Sequence, residues 1–185
     1  ANRWAEVTCC GVSEGYGLTE TSPTVSANPG NGVQIGTIGV PVPSTEIQIR
    51  DDEGNPLGLD EAGELCVRGP QVMAGYWQRP EATAEVIDSD GWFATGDIAL
   101  VQRDGYMRIV DRKKDMIVVS GFNVYPNELE DVLVEHPEVV ECAAIGVPSE
   151  STGEAIRMYV VRSNPDLSEY DVRNFMREGL SLIHI

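Results

Sequence analysis

Glycine and proline recur so often between residues 1 and 110 that they leave room only for short elements. The chain carries 19 glycines and 11 prolines, and most of them fall in this stretch. Glycine has excess backbone freedom and proline lacks an amide donor, so both interrupt regular structure. Short apolar runs separate these turn signals, which is typical of many short strands. The first part of the chain is therefore predicted to be rich in β-structure.

Two hairpins are predicted within this region. Ile47–Arg50 alternates between apolar and polar residues, a turn-rich segment follows, and Glu64–Arg68 can return as its partner. A second hairpin joins Ile98–Val101 to Tyr106–Val110 through an Asp-Gly pair, which favours tight hairpin turns.

From about residue 113 the pattern changes to strand, helix, strand, strand and helix. A helix is predicted from Pro126 to near Pro137, because apolar positions repeat at the spacing of one helix face. Those positions are Leu129, Val132, Leu133 and His136. Strands are predicted at Val139–Val147 and Ile156–Val161, with Ile156, Met158 and Val160 on one face.

The last predicted helix begins at a capping-box-like segment. Ser168 is followed three residues later by Asp171, a spacing at which the two side chains can cap the first backbone amides. The apolar residues of this helix are Val172, Phe175 and Met176.

Charge and cysteine content restrict the partners and the compartment. Thirty acidic and 13 basic side chains give a formal charge of −17, which repels a nucleic-acid backbone. The four cysteines form no CxxC pair, and with two histidines nothing stands at zinc-ligand spacing. Free cysteines suit a reducing cytoplasm better than a secreted disulfide framework.

The ends and the hydropathy of the chain add two expectations. No run of about 18 apolar residues and no secretion signal is visible. The chain begins with Ala1 in mid-pattern, so we expect its natural N-terminus to be missing.

Several polar residues could contact a nucleotide. In Glu14–Glu20, glycines such as Gly17 permit close backbone approach, Tyr16 can stack on a base, Thr19 can bind a phosphate oxygen and Glu20 can ligate magnesium. An ordinary Gly-aromatic-Gly turn explains the segment equally well.

Three further residues have both a functional and a purely structural reading. The carboxylate of Asp97, expected in a turn, matches a ribose diol, although an Asx-turn also explains it. Arg112 is the second residue of the charged run 111–115 and can fork to phosphate, although such a run is usually a solvated turn. Gly121 would let a thin ligand arm pass the backbone, or it marks a strand-to-loop turn.

Taken together, these segments resemble the adenylate-forming enzymes, a family that includes acyl-CoA synthetases, luciferases and peptide-synthetase adenylation domains. The resemblance rests on four motifs in order. They are Gly15–Glu20, Gly63–Gly69 continuing to Gly75–Trp77, Thr95–Asp97, and Asp111–Asp115 continuing to Gly121. The sequences of residues 72–80 and 120–128 are most similar to those of bacterial long-chain fatty-acid:CoA ligases.

The resemblance implies a mixed α/β and α+β fold with two parts. Residues 1–112 would be the C-terminal portion of the large AMP-binding N-domain, and residues 113–180 an incomplete small, mobile C-terminal domain. From about Gly179 the sequence departs from the family pattern, and we hypothesise that residues 181–185, including His184, are foreign.

The resemblance also implies roles for individual residues. Thr19 and Glu20 would contact ATP phosphates and Mg²⁺, Tyr16 would flank adenine beside Gly17, and Asp97 would hold the ribose. Arg112 would also contact the nucleotide. Lys114 would be the hinge of the small domain, and Gly121 would line the CoA pantetheine tunnel.

The implied reaction activates a fatty acid with ATP as acyl-AMP and transfers the acyl group to CoA. An enzyme that loads a carrier-protein arm and a non-catalytic module with the same fold remain alternatives. Peripheral association of the full-length enzyme with the inner face of the membrane, and its oligomeric state, stay open. The family's phosphate loop and its C-terminal lysine have no counterpart here, so we expect residues 1–185 alone to be inactive.

Overall fold

The fold consists of two units that follow one another along the chain. In the computed structural model, which describes residues 2–180, one unit ends at Ile109 and the other begins at Val110. The predicted boundary after Arg112 stays a prediction about the domains of the whole protein. The hypothesised foreign segment, residues 181–185 with His184, lies outside the described residues.

The first unit is built from short strands and two short helices. In chain order the elements are α1 (Asn2–Thr8), β1 (Gly15–Gly17), β2 (Thr24–Ala27), β3 (Val40–Pro41), β4 (Glu46–Arg50), β5 (Gly63–Arg68), α2 (Pro80–Val86), β6 (Phe93–Val101) and β7 (Met107–Arg112), which crosses the boundary. One sheet has the order β1-β2-β3 and the other the order β4-β5-β6-β7. The prediction of a β-rich region with short strands is confirmed.

Both predicted hairpins are present. Strands β4 and β5 are antiparallel and pair Ile49 with Leu65. Strands β6 and β7 are neighbours in the sheet, and the Gln102 amide donates to the Tyr106 carbonyl oxygen at 2.8 Å to close their turn. Gly105 has a φ of +87° there, which only glycine adopts without strain.

The core of this unit lies between its sheets. Its buried members are Val25, Ile49, Leu65, Val67 and Ala99. A second packing feature involves Trp92, which is only 7% exposed. The guanidinium groups of Arg50 and Arg68 lie 5.2 and 4.6 Å from its ring centroid, within the range of cation–π attraction.

Over its described residues, 110–180, the second unit is a four-stranded sheet with two helices. A 3₁₀ turn (Lys113–Asp115) precedes β8 (Ile117–Val119), β9 (Phe122–Val124), α3 (Pro126–Val134), β10 (Val139–Ser149), β11 (Gly153–Arg162) and α4 (Glu169–Gly179). The sheet order is β10-β11-β8-β9. The predicted element order differs in one respect, because two short strands rather than one precede α3.

Helix α3 is shorter than predicted. It ends at Val134, and its C-cap Glu135 still has helical backbone angles. Pro137 disfavours the helical conformation of the next residue, His136. The predicted apolar face is otherwise correct, since Leu129 and Leu133 are 7% and 0% exposed. His136 follows the helix and packs its ring edge-on against Phe175 at 4.8 Å.

The core of the second unit joins both helices to one face of the sheet. Leu133, Val139 and Leu167 are buried together. The side chains packed against them are Cys142, Met158, Val160, Val172, Phe175 and Met176. Ile156 lies in the same strand as Met158 and Val160 and is 37% exposed.

The predicted cap of α4 is confirmed. The Ser168 hydroxyl oxygen accepts the Asp171 amide at 3.3 Å, and the Asp171 carboxylate accepts the Ser168 amide at 3.1 Å. Within residues 2–180, no helix combines the length and the apolar character needed to cross a membrane.

Candidate nucleotide site

Two candidate residues from distant parts of the first unit meet each other. The Tyr16 hydroxyl on β1 donates to Asp97 Oδ2 on β6 at 2.5 Å, across a separation of 81 residues. Asp97 is 9% exposed, and the Tyr16 side chain is half-buried. The fold therefore fixes an aromatic ring beside a carboxylate, which is an arrangement that can hold a base and the sugar attached to it.

Asp97 lies inside strand β6, so the expectation that it sits in a turn was wrong. The register between β5 and β6 shifts, with Glu64 opposite Ile98 and Cys66 opposite Ala94. Three residues of β6 therefore face Leu65, and such a bulge re-aims side chains. Gly96 takes a φ of +74° within it.

The side chain of Thr95 and the backbone amide of Gly96 hold this bulge. Its hydroxyl donates to the Leu65 carbonyl oxygen at 2.8 Å and accepts the Asp97 amide at 3.2 Å. The Gly96 amide donates to Glu64 Oε1 at 3.2 Å. The backbone before Asp97 is thus tied to β5 by these bonds, and the backbone after it is tied by the pairing of Ile98 with Glu64.

Gly17 is required by the packing of its own loop. A Cβ at this position would lie 1.8 Å from the Pro23 carbonyl oxygen, which no side chain can tolerate. The Leu18 amide also donates to that oxygen at 2.9 Å. Gly17 therefore has a structural reason to be glycine, beside the close ligand approach that the sequence suggested.

The sequence did not single out Thr21, which organises the loop that presents Thr19. Thr21 is fully buried, and its hydroxyl donates to the Pro23 carbonyl oxygen at 2.6 Å and accepts the Leu18 amide at 3.0 Å. Thr19 opens the 3₁₀ turn Thr19–Thr21 and is exposed. The buried threonine anchors the turn, which leaves the exposed threonine accessible to a ligand.

Glu20 is held by a tyrosine that the sequence analysis did not place at the site. The Tyr76 hydroxyl donates to Glu20 Oε1 at 3.0 Å, and the Met73 amide donates to the Glu20 carbonyl oxygen at 2.8 Å. Burial raises the pKa of the Tyr76 phenol, and the hydrogen bond and negative charge of Glu20 raise it further. The signal was present in the sequence, because Tyr76 belongs to the second family-like motif.

The remaining candidates belong to the second unit. Arg112 ends β7 and is exposed, and Lys114 lies in the 3₁₀ turn that follows. Gly121 lies in the tight turn between β8 and β9, where Ser120 and Gly121 have φ values of +52° and +84°. This turn closes a hairpin, since Val119 pairs with Phe122.

Two carboxylates bracket the segment that contains Lys114. Before it, Asp111 is 4% exposed, and its Oδ2 accepts the Asn127 amide at the start of α3 at 2.9 Å. After it, Glu154 Oε2 on β11 accepts the Val118 amide at 2.7 Å. Neither residue was a candidate from the sequence, because their partners lie 16 and 36 residues away.

A cavity of about 350 Å³ lies in the second unit beside these residues. Its polar lining includes Asp111, Lys114, Asn127, Glu130 and Glu154. Most of these carboxylates already accept backbone amides, as Glu130 does from Ala144 at 2.8 Å. The cavity therefore borders the bracketed segment, and three of its carboxylates already bind backbone amides.

Two family models match the chain. The model of the AMP-binding enzyme family matches residues 1–77, and the model of the AMP-binding enzyme C-terminal domain matches residues 128–184.

Curated proteins with related sequences are acyl-CoA-forming enzymes by name. The chain is 57% identical over 182 residues to the long-chain-fatty-acid–CoA ligase of Salmonella typhimurium, which covers 98% of this chain and 32% of that protein. It is 48% identical over 150 residues to a feruloyl-CoA synthase from Amycolatopsis, with 80% and 30% covered. The chain spans about a third of the length of these relatives.

Solved structures of other proteins share the fold of this chain. ATP-bound MatB from Rhodopseudomonas palustris superposes with a TM-score of 0.88 at 36% identity, covering 97% of this chain and 36% of that one. The o-succinylbenzoate CoA synthetase of Bacillus subtilis, solved with its acyl-adenylate intermediate, gives 0.83 at 31% identity, covering 99% and 38%.

Proposed function

Because the chain belongs to the AMP-binding enzyme family, we propose that the whole protein is an ATP-dependent fatty-acid:CoA ligase. The proposed reaction joins a fatty-acid carboxylate to ATP, giving acyl-AMP and pyrophosphate. The CoA thiol then displaces AMP and forms the thioester. The 57% identity to a long-chain-fatty-acid–CoA ligase supports this substrate class.

The single observation that carries the proposal is the contact between Tyr16 and Asp97. The family resemblance assigns these residues to the adenine and the ribose of one nucleotide, and their side chains meet at 2.5 Å. A carboxylate has two oxygens that can accept the two ribose hydroxyls. In the proposed complex Asp97 binds the ribose, and Tyr16 both flanks the base and orients that carboxylate.

Thr19 and Glu20 are proposed to act on the phosphates. The exposed Thr19 hydroxyl can donate to a phosphate oxygen, and Glu20 can supply one ligand to Mg²⁺. Residues 2–180 contain no group of three or more His, Cys, Asp or Glu side chains that could hold a metal. This fits Mg²⁺ bound through one carboxylate, water and substrate phosphates rather than in a protein cage.

Arg112, Lys114 and Gly121 are proposed to serve the second unit. The Arg112 guanidinium can fork to nucleotide oxygens. Lys114 is the proposed hinge, and its place in a 3₁₀ turn after β7 supports that role. Gly121 is the proposed lining of the CoA pantetheine tunnel, supported by a hairpin turn in which an added Cβ would meet nothing within 4 Å.

The bound states of two relatives agree with this chemistry. One relative was solved with ATP and another with an acyl-adenylate. The protein would position the reactants and neutralise developing phosphate charge.

We further propose a cytoplasmic protein that can associate peripherally with the membrane. The exposed Cys9 and Cys10, which form no disulfide, support a reducing compartment.

The test is pyrophosphate release by the full-length protein over a panel of carboxylic acids, with and without CoA. We expect release that depends on long-chain fatty acids, and acyl-CoA formation when CoA is present. Aromatic acids belong in the panel because one relative is a feruloyl-CoA synthase.

Three other results would overturn all or part of the proposal. Pyrophosphate release without acyl-CoA would indicate another acceptor, such as a carrier-protein arm. Activity on aromatic acids alone would remove the fatty-acid assignment. No release with any acid, together with no binding of ATP, would indicate a non-catalytic module.

A further inference from the structure

Asp111 carries a buried carboxylate that has no role in the proposed reaction. Its Oδ1 accepts the Arg112 amide at 2.7 Å and its Oδ2 accepts the Asn127 amide at 2.9 Å. The Asn127 side chain returns a bond of 3.3 Å to the Val110 carbonyl oxygen. Val110, Asp111 and Asn127 therefore join the end of β7 to the start of α3 through reciprocal bonds.

These bonds are the side-chain cap of helix α3. The residue before the helix, Tyr125, makes no side-chain cap, and Pro126 has no amide hydrogen to satisfy. A carboxylate at a helix N-terminus is favoured by the unpaired amides and by the helix dipole. Asp111 thus supplies from 16 residues away what a local Ser or Asp usually supplies.

The cap spans the proposed hinge. Asp111 precedes Lys114 by three residues, whereas Asn127 follows it, so the bonds close a loop around the pivot. A backbone rotation at Lys114 that moves α3 relative to β7 must lengthen the Asp111–Asn127 bond and the Asn127–Val110 bond. Residues 112–117 cannot rotate freely while the cap is intact.

The cavity next to the cap gives the opened state a place for solvent. Asp111, Lys114 and Asn127 all line its volume of about 350 Å³, which is room for several water molecules. Water can solvate the carboxylate and the helix amide after they separate. The cap therefore has a moderate rather than a prohibitive cost of opening, as a reversible contact needs.

We propose that the Asp111–Asn127 contact is a conformational latch, in which Asp111 acts as a positioning residue. The latch stabilises the arrangement in which α3 is capped and opens when the chain rotates at Lys114. It thereby sets the balance between the two half-reactions, acyl-AMP formation and thioester formation. This inference rests on the proposed function and on the proposed hinge.

The experiment compares the two half-reactions in the full-length protein. Fatty-acid-dependent exchange of pyrophosphate with ATP reports the first, and acyl-CoA formation from pre-formed acyl-AMP and CoA reports the second. Asp111→Asn keeps the shape of the side chain but loses one acceptor. We expect the ratio of the two rates to change by about tenfold, the effect of one buried charge-assisted hydrogen bond.

Two further variants separate the latch from general stability. Asn127→Ala removes the bond to Val110 and leaves Asp111 in place, so it should shift the ratio in the same direction by a smaller factor. Glu130→Gln is the matched control. Glu130 also accepts a backbone amide, that of Ala144 at 2.8 Å, but both partners follow the pivot, and its ratio should stay within about twofold of wild type.

Each outcome decides between the two levels of inference. If wild type performs neither half-reaction, the proposed function fails. If wild type performs both, and Asp111→Asn lowers the two rates by the same factor as Glu130→Gln does, the latch is wrong while the function stands. Opposite shifts in Asp111→Asn and Asn127→Ala would also overturn the latch.

Discussion

The two units hold their candidate residues in different ways. In the first, Tyr16 and Asp97 lie on strands and their side chains are bonded to each other at 2.5 Å. In the second, Lys114 lies in a 3₁₀ turn and Gly121 in a two-residue hairpin turn. Near Lys114, Asp111 and Glu154 accept backbone amides at the two ends of the segment that contains it.

This difference follows from what each group is proposed to do. A residue that binds a nucleotide works best when its geometry is fixed before the ligand arrives. A residue at a pivot needs backbone angles that can change, which a short turn permits and a sheet does not. Substitutions in the two units should therefore have separable effects.

The largest expected effect is on nucleotide affinity in the first unit. Asp97→Asn in the full-length protein should weaken ATP binding about 100-fold or more, because two hydrogen bonds from the ribose hydroxyls to a charged acceptor are impaired. Titration calorimetry measures the Kd. Asp104→Asn is the control, since Asp104 is a turn carboxylate bonded to Gln34. An Asp97→Asn protein with an unchanged Kd would break the assignment of the first unit.

The sequence predicted the elements that depend on local pattern. The two hairpins of the first unit, the apolar face of α3 and the cap at Ser168 depend on residues close together in the chain, and all were correct. The contact between Tyr16 and Asp97 was accessible only through the family resemblance, because 81 residues separate them. Gly96 was the local signal of the bulge that places Asp97 in a strand, because an isolated glycine in a strand often marks one, but the segment was interpreted as a turn.

Apart from Thr21, whose partners are local, the residues that were missed act through distant partners. Asp111 looked like part of a solvated charged turn, yet it is buried against a helix 16 residues away. Trp92 was not singled out from the sequence, yet the guanidinium groups of two arginines from other strands lie over its ring. Such pairings are set by sheet register and tertiary packing, which single-sequence periodicity does not encode.

The next prediction concerns whether the two units are independently stable. Leu65 in the first unit and Leu133 in the second are both fully buried. Replacing either with alanine should cost about 3 kcal/mol of unfolding free energy, since it leaves a cavity in a packed core. In hydrogen-exchange measurements on the full-length protein, Leu133→Ala should expose the amides of β10 and β11 but not those of β4 and β5. The reverse should hold for Leu65→Ala.

A uniform loss of protection after either core substitution would contradict this expectation. It would mean that the two units unfold as one cooperative body. The difference in how they hold their candidate residues would then have no counterpart in their stability.

A pair of glycine substitutions, one in each unit, should have smaller effects on stability and on ligand binding. Gly17→Ala must displace the Pro23 carbonyl oxygen, which should cost about 1–3 kcal/mol, the usual range for forced overpacking. It should also weaken ATP binding, because the loop that presents Thr19 shifts. Gly121→Ala meets no atom within 4 Å and should cost about 1 kcal/mol through its left-handed backbone alone.

The two glycine variants also differ in the half-reaction that they should affect. Gly121→Ala should leave ATP affinity unchanged and raise the KM for CoA, as steady-state kinetics of the full-length protein would measure. Equal losses of ATP affinity in both variants would show that the two glycines do not serve different steps.

The smallest effect concerns how firmly the first unit holds Glu20. Burial and the neighbouring Glu20 raise the pKa of Tyr76, so the folded state binds the phenol proton more tightly than the unfolded state does. The resulting stabilisation is present below the ordinary tyrosine pKa of about 10 and is lost as the pH rises through the folded-state pKa. Tyr76 is 37% exposed, so solvent screening keeps the effect modest.

Phenolate absorbance in a pH titration, with Tyr76→Phe to identify the signal, should show a late transition that Glu20→Gln moves to lower pH. A transition that Glu20→Gln leaves in place would mean that Glu20 is not held by Tyr76. The view that the first unit holds its candidate residues more firmly than the second would then be weakened.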